Sequence, residues 1–391
     1  MPWEESVLSL PGMHVEKVEG YNPVHVWVRS EEGASCPRCG GREVRSKDRY
    51  ERVVRHESWG QRKVWLHVEG HKYRCRACGG YFRQRFRGIL PGRRASEAFR
   101  REVVADHADG ISQSRLAQRT GIGTATIERW YQEFLGRKVS EMKNNPLPRV
   151  RGIDEHFFSR RYGYATTLVD LEKHRVYDVV RGRSFWSLSR YLRRLPGRER
   201  VQVVCLDLSP SYRSIVERLF PQAKIVADRF HVIRLVGHHF HRLWRDLDPA
   251  GSAHRGLRSL VRRRPDRLDL DQVQRLEAYL RAHPEVAAVY HFKEHLNGLL
   301  RMKTLRAREC AVHIPALLDA IDQLKASAFE AMHTLGTTLD AWKEEIVRMW
   351  RFSRSNGITE GFHTKMEMIS RRAYGFRNFE NYRLRVRALC C

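Results

Sequence analysis

One pattern occurs twice in the first quarter of the chain. Cys36-Pro-Arg-Cys39-Gly-Gly41 and Cys75-Arg-Ala-Cys78-Gly-Gly80 both read C-x-x-C-G-G. Each spacing lets two thiolates grip one metal ion, and the glycines let backbone N–H groups approach the sulfurs. Two such knuckles supply four soft ligands, Cys36, Cys39, Cys75 and Cys78, which is the tetrahedral preference of structural zinc. The polypeptide between them must therefore leave and return. Lys63–Val68 and His71–Arg74 read as strands, as does His25–Val28 after the turn at Gly20–Pro23. A zinc ribbon over 1–92 is the expected fold. His67 and His71 lie between the knuckles but read as surface residues, because the cysteines already complete the site. Disulfides or a redox pair are the alternatives, disfavoured by doubled knuckles in a chain that reads as cytoplasmic. Cys205 and Cys310 read as packing residues, and the terminal Cys390 and Cys391 carry no signal.

Charge narrows the partner. Across 391 residues, 72 Lys and Arg stand against 45 Asp and Glu, a net charge of +27. Such an excess points to a polyanion, nucleic acid first, and the predominance of Arg suits bidentate phosphate contacts. The excess lies at both ends and in the middle, whereas 238–345 is nearly neutral. A hydrophobic content of 42% supports packed cores. No apolar run approaches the ~20 residues of a membrane span, and Met1-Pro-Trp-Glu-Glu lacks a signal-peptide layout. A soluble cytoplasmic protein is expected.

Beyond the ribbon the pattern turns helical. Ser96 is placed to cap a helix to about Asp109, Ser112–Thr120 forms a second, Gly121-Ile-Gly123 a turn, and Thr124–Phe134 a third. Leu116, Ala117, Ile122 and Ile127 fall where a helix-turn-helix keeps its core, over 93–137. The start of the third helix (Thr124, Ala125, Thr126, Glu128, Arg129) would face the major groove of DNA. Residues 138–149, polar with two prolines, read as a linker.

The next region, 150–237, carries acids at strand ends. Val150-Arg-Gly-Ile-Asp154 is a short strand leading to a carboxylate. Tyr162–Asp170 and Arg175–Arg181 form a hairpin, and Ser184 starts a helix to about Leu195. Val201-Gln-Val-Val-Cys-Leu is apolar enough to be a strand buried on both faces. It ends at Asp207, followed by Ser209-Pro210, an N-cap and a first-turn proline. A helix follows, then the strand Ala223–Ala227, ending at Asp228. Three meandering strands, helix, strand, helix, strand is the order of an RNase-H-like domain. In that arrangement the first and fourth strands are neighbours, so Asp154 and Asp207 would meet. Two carboxylates so placed repel unless a cation lies between them, and Mg²⁺ binds through such pairs plus substrate phosphates. Residues 238–345 read as a helical insertion, with a solvated basic loop at Arg262-Arg-Arg264-Pro265. In 346–391, Thr359 is a candidate N-cap and Glu360 falls in the first turn, where the helix dipole alone would favour it. The tail from Ser370 to Arg387 interleaves arginines with aromatics. That pattern suits phosphates and unpaired bases, with Arg371, Arg372 and Arg377 as candidate contacts.

Taken in order, these motifs resemble bacterial insertion-sequence transposases of the ISL-three type. The resemblance rests on the paired knuckles, Gly-Ile-Asp154-Glu-His, Leu-Asp207-Leu-Ser-Pro-Ser-Tyr, Ala-Asp228-Arg-Phe-His231, Asn356-Gly-Ile-Thr-Glu360-Gly and the arginine–aromatic tail. It covers nearly the whole chain. It implies a multidomain α+β transposase of the DDE type, with Asp154, Asp207 and Glu360 as a triad for two Mg²⁺ or Mn²⁺ ions. It also implies binding of double-stranded DNA at the element's ends and at the target, by a homo-oligomer. Asp228 would cap the following helix and orient His231, or else ligate metal. The rival reading is a zinc-ribbon and helix-turn-helix regulator without catalysis. A weaker one is a nuclease of the same fold that never joins strands.

Overall fold

The computed structural model describes residues 8, 10, 12–141, 146–352 and 357–390. Asn356 of the last motif, part of the 138–149 linker and Cys391 lie outside them. The chain divides into two compact units, Met1–Lys138 and Val139–Cys391.

The first unit is built on a five-stranded sheet: β1 (Met13–Glu19), β2 (Val24–Ser30), β3 (Val44–Trp59), β4 (Arg62–Cys75) and β5 (Tyr81–Arg83). Its order is β1-β2-β4-β3, with β5 also on β4. The expected strands at 63–68 and 71–74 are one continuous strand. Its partner β3 has no apolar alternation over its first half, Val44–Arg52, and is held there by pairing with β4. Near the turn of this hairpin, Val54, Val64, Leu66 and Val68 point inward with Val24, Val26 and Val28 to form the core. Three helices follow: α1 (Glu97–Ala108), α2 (Gln113–Thr120) and α3 (Thr124–Glu141). Ser96 and Ser112 cap the first two through their side chains, and Gly121 ends α2 in the left-handed region at φ 75°, where a Cβ would be strained. Leu116, Ile127 and Trp130 are buried between them.

The second unit holds another five-stranded sheet: β6 (Val150–Ser159), β7 (Gly163–Asp170), β8 (Arg175–Arg181), β9 (Val203–Leu206) and β10 (Lys224–Ala227). The order is β10-β9-β6-β7-β8. β6, β7 and β8 form an antiparallel meander, while β9 and β10 run parallel to β6. Every residue of β9 is buried, which gains roughly 1.5–3 kcal/mol for each large aliphatic side chain removed from water. The crossovers carry α4 (Phe185–Leu192) and α5 (Pro210–Leu219), and α6 (Arg229–Leu247) leaves the end of β10.

Helices α7 (Pro249–Ala253), α8 (Arg255–Arg262), α9 (Leu270–Ala282), α10 (Pro284–Arg301), α11 (Ala307–Ala326), α12 (Glu330–Ala341) and α13 (Lys343–Arg351) fill the nearly neutral stretch and the residues just beyond it. They are not a detached block. Leu296, Leu317, Leu335 and Trp350 share one hydrophobic cluster with Ile153, Val204 and Val226 of the sheet. Arg229, mostly buried, stitches the junction by donating to the carbonyls of Leu300, Met302 and Met349 at 3.1, 2.9 and 2.6 Å.

Two helices close the chain, α14 (Gly357–Arg372) and α15 (Phe379–Leu389). The helix is already under way at Gly357, so Thr359 lies within its first turn and is buried rather than acting as its N-cap. The tail also departs from the sequence reading. Phe379, Tyr382 and Val386 recur at helical spacing and pack with Val176 and Val179 of β8. Those aromatics are core, unavailable to bases. Arg383 turns inward as well and forks onto the buried Asp178, with Nε–Oδ1 and Nη2–Oδ2 both at 2.7 Å.

Candidate functional site

The four knuckle thiols converge. Their sulfurs all lie within 4.8 Å of one another, the only such group of three or more potential ligands among the described residues. Cys36 and Cys78 sulfurs are 3.7 Å apart, and Cys39 and Cys75 sulfurs 3.6 Å. A tetrahedral zinc with Zn–S near 2.3 Å needs sulfurs about 3.8 Å apart, so the donor set fits. The two knuckles have the same backbone. Cys36 N–H bonds Gly41 O and Gly40 N–H bonds Cys36 O, and Cys75, Gly79 and Gly80 repeat this. The first glycine of each knuckle has positive φ, 73° and 68°, and a Cβ on Gly41 or Gly80 would sit 3.4 Å from a cysteine sulfur. The backbone N–H of Arg38, its strongest influence, holds the Cys36 thiol down at about 7. His67 and His71 stay outside this group. His67 bonds Glu51 at 2.6 Å and stacks on Trp27, while His71 is 3.4 Å from Glu69.

In the second unit, parallel pairing sets Ile153 beside Leu206. The next residue on each strand is an aspartate, so Asp154 and Asp207 emerge side by side where both strands end their pairing. Asp154 is 4% exposed. Its Oδ1 accepts from the Glu155 N–H, and its Oδ2 faces His231 Nε2 at 3.9 Å and His363 Nδ1 at 4.0 Å. Asp207 Oδ1 is buried with no hydrogen-bond partner. Burial first, then the charge of Asp154, pushes the Asp207 carboxyl up to about 6. Two facing acids, one with an orphaned oxygen, form a donor set suited to a hard cation.

Asp228, at the end of β10, caps α6 by accepting from Phe230 N–H at 3.3 Å, and its Oδ2 lies 3.4 Å from His231. A close ion contact with Asp154 raises the His231 imidazole above its ordinary value, against the effect of burial. Each residue of the Asp-Arg-Phe-His motif thus has a contact: the cap, the bridge to the helices, the Phe230 ring edge-on to His231 with centres 5.5 Å apart, and the histidine between two aspartates.

Glu360 is exposed in the first turn of α14. The three acids of the expected triad are not gathered within 4.8 Å, since the cysteines alone form such a group among the described residues. They open on different hollows. Asp207 and His231 line one of about 880 Å³, with Glu155, Arg183 and Arg234. Glu360 and His363 line another of about 760 Å³, with His156, Arg371 and Tyr382. Asp154 receives one histidine from the lining of each.

The sequence reading passed over a relay behind Asp154. His156 Nε2 lies 2.8 Å from Tyr382 OH, and its Nδ1 lies 2.9 Å from Thr167 Oγ1. Thr167 Oγ1 in turn lies 3.1 Å from His363 Nε2. Burial, then His363, pushes the His156 imidazole down to about 3, so it is neutral. One proton arrangement satisfies every member. Tyr382 donates to His156, His156 to Thr167, and Thr167 to His363, which leaves the His363 Nδ1–H facing Asp154. Periodicity could have found these residues. His156 is two after Asp154 on a strand, and His363 is three after Glu360 on a helix.

Of the residues expected to face DNA, Thr124, Ala125 and Arg129 are exposed and Thr126 is half-buried. Glu128 is engaged within the fold, accepting from Gln132 at 2.7 Å and from Gln113, which ties α3 to α2. Arg371, Arg372 and Arg377 are exposed, and Arg371 pairs with Glu367 at 2.6 Å. No helix among the described residues is long and apolar enough to cross a membrane.

Comparison with known proteins gives the family. Residues 152–386 match the ISL3 family model described as Transposase, and residues 32–78 match the zinc-finger of transposase IS204/IS1001/IS1096/IS1165. The chain is 26% identical over 365 residues to the transposase for insertion sequence element IS1001 of Bordetella parapertussis, covering 90% of this chain and 88% of that one. With a family match over more than half its length and a knuckle geometry made for zinc, the chain belongs to the ISL3 family of insertion-sequence transposases.

Proposed function

We propose that the second unit is an RNase-H-like catalytic domain that cuts and rejoins DNA at the ends of its element, using Asp154, Asp207 and Glu360. The observation that carries this reading is the pair of aspartates just past the last paired residues of the parallel strands β6 and β9, one with a buried, unpartnered oxygen. Magnesium or manganese ions held there would activate water and stabilise the leaving oxygen of a phosphodiester. Asp154 and Asp207 would both help to hold them. The His363 N–H and His231 would fix the Asp154 carboxylate. Glu360, the proposed third ligand, lies one helical turn before His363, on the same face of α14, and His363 is 4.0 Å from Asp154. Asp228 is proposed as a positioning residue that caps α6 and orients His231. Arg183 and Arg234, in the hollow beside Asp207, would hold the phosphates that flank the scissile bond.

In the first unit, α2 and α3 are proposed as a helix-turn-helix, with Thr124, Ala125, Thr126 and Arg129 toward the major groove. Arg371, Arg372 and Arg377 are proposed to contact phosphates. Two element ends must meet for joining, which favours a homo-oligomer on DNA.

The reading is tested with a supercoiled plasmid carrying the DNA that flanks the gene on both sides. Wild-type protein with Mg²⁺ or Mn²⁺ is expected to nick at the element ends, while D154A, D207A and E360A bind the ends without cutting. Cutting that persists in one variant removes that residue from the set. No cutting by the wild type with either ion favours the regulator reading.

A further inference from the structure

The first unit contains a hollow of about 850 Å³ that none of the motifs above accounts for. It is walled by β3, by Trp65 of β4, by β5 with the residues that follow it, by the loop 91–94, by Pro37 of the first knuckle and by Ile122 in the turn before α3. Its lining is unbalanced in charge. Arg52, Arg55, Arg83, Arg85, Arg93 and Arg94 line it against one acid, Glu51, and Arg55 is spent on the carbonyls of His56 and Val64. That acid is already taken by His67 at 2.6 Å. Arg93 lies 3.5 Å from Glu133, and Arg52 donates to the carbonyls of Leu90 and Arg93. Arg83, Arg85 and Arg94 are exposed and have no acid partner among the described residues. Three like charges around one concavity repel one another and concentrate anions.

The hollow also contains aromatic rings, yet these are covered. The Arg83 guanidinium lies 5.6 Å from the Tyr50 ring centre, and Arg55 lies 5.9 Å from that of Trp65. Phe82 packs against Tyr73 with ring centres 5.6 Å apart. Rings so occupied do not offer stacking platforms to unpaired bases. Arg83 is instead held over Tyr50 with its fork pre-set for a phosphate. The position of the hollow matters too. Ile122 lines it, and the exposed Thr124 and Ala125 begin α3 two residues later.

We propose that this hollow is a second DNA contact, in which Arg83, Arg85 and Arg94 grip the phosphate backbone of double-stranded DNA beside the segment addressed by α3. The assignment rests on the reading of the chain as a transposase that binds element ends. It adds a role for the ribbon: zinc fixes the far ends of β3 and β4, and these strands hold Tyr50 and Arg52 in the wall. Backbone contacts of this kind set position and affinity while carrying no sequence information.

The test uses the full-length, zinc-loaded chain without added Mg²⁺, and labelled duplexes of about three helical turns. One duplex is taken from the DNA flanking the gene, and the other is its scrambled version. Kd is measured against salt concentration for wild type and R83Q/R85Q/R94Q. Each lost phosphate contact lowers the slope of log K against log salt by about 0.9. The triple variant is therefore expected to be shallower by about 2–3 on both duplexes, with their ratio of affinities preserved. An R129A/T124A variant is expected to do the reverse, losing discrimination and keeping most of the slope. Unchanged zinc content and melting show that the fold persists. Should the triple exchange cost the fold, R85Q and R94Q alone are each expected to lower the slope by about 1. An unchanged slope overturns the proposal, as does a loss confined to a single-stranded probe of the same length. Because binding is read without divalent ions, failure of the wild type to nick DNA would sink the catalytic reading and leave this one standing.

Discussion

Asp207→Asn should stabilise the metal-free protein, and only above a definite pH. The Asp207 carboxyl is raised to about 6 in the folded chain, by burial and then by Asp154, against about 3.9 in an unfolded one. Below pH 4 both states hold the proton and the exchange to Asn changes little. Between pH 4 and 6 the folded state binds the proton more tightly, so each rise in pH costs stability, and above 6 the cost is complete. A shift of about two units corresponds to ~3 kcal/mol at pH 7.5, and partial solvent access reduces this to ~2 kcal/mol. For a unit of this size, about 2–4 °C accompanies each kcal/mol. Melting of the second unit should therefore rise by about 4–8 °C in D207N at pH 7.5 and remain near wild type at pH 4. Mg²⁺ should raise the wild-type melt at pH 7.5 and leave D207N unmoved, since it replaces the proton as the counter-charge. Differential scanning calorimetry at the two pH values, with and without Mg²⁺, reads both effects. Equal melting of D207N and wild type at pH 7.5 would refute the claim that Asp207 carries an uncompensated buried charge.

Two further outcomes follow from other parts of the molecule. Arg383→Ala strips both forked bonds from Asp178, which is 2% exposed and then keeps Tyr191 OH at 2.5 Å and Arg387 at 3.7 Å. Loss of one partner of a buried pair should cost ~3 kcal/mol, seen as a melt of the second unit lowered by about 6–12 °C, with DNA affinity little changed. Cys78→Ser should reduce bound zinc from about one per chain to near zero by atomic absorption. It should abolish duplex binding while the second unit melts as before, and a variant that keeps its zinc would remove Cys78 from the site.

Part of the second unit was readable in advance because β9 is apolar throughout. Val201–Leu206 reads as a strand buried on both faces, and its last four residues form β9, while Ser209-Pro210 marks the helix start behind it. Pairing in register then follows from topology, which is why two acids far apart in sequence come out adjacent. β3 escaped notice because its outer half carries Arg45, Lys47, Asp48, Arg49 and Glu51, with no apolar face to betray a strand. Part of the tail misled for the opposite reason, although Tyr374 and the arginines before α15 stay exposed. Its arginines and aromatics alternate as a DNA-binding segment would, but a helix sorts them by face, and Phe379, Tyr382 and Val386 all turn inward. The relay of His156, Thr167, His363 and Tyr382 draws on four elements, β6, β7, α14 and α15; spacing from Asp154 and Glu360 hints at the two histidines, but only folding joins the hairpin to the tail. Which hollow Glu360 opens on likewise depends on where α14 docks, and no local pattern encodes that.

The central claim is that Asp154 and Asp207 hold a divalent cation between them. Electron paramagnetic resonance of Mn²⁺ titrated into the zinc-loaded chain measures it directly, since free and bound Mn²⁺ differ in signal. Wild-type protein should bind Mn²⁺ with an affinity that strengthens as pH rises through about 6, as the Asp207 proton leaves. D154N and D207N should each lose that binding while keeping their zinc and their fold. Mn²⁺ binding that survives unchanged in either variant would contradict the account.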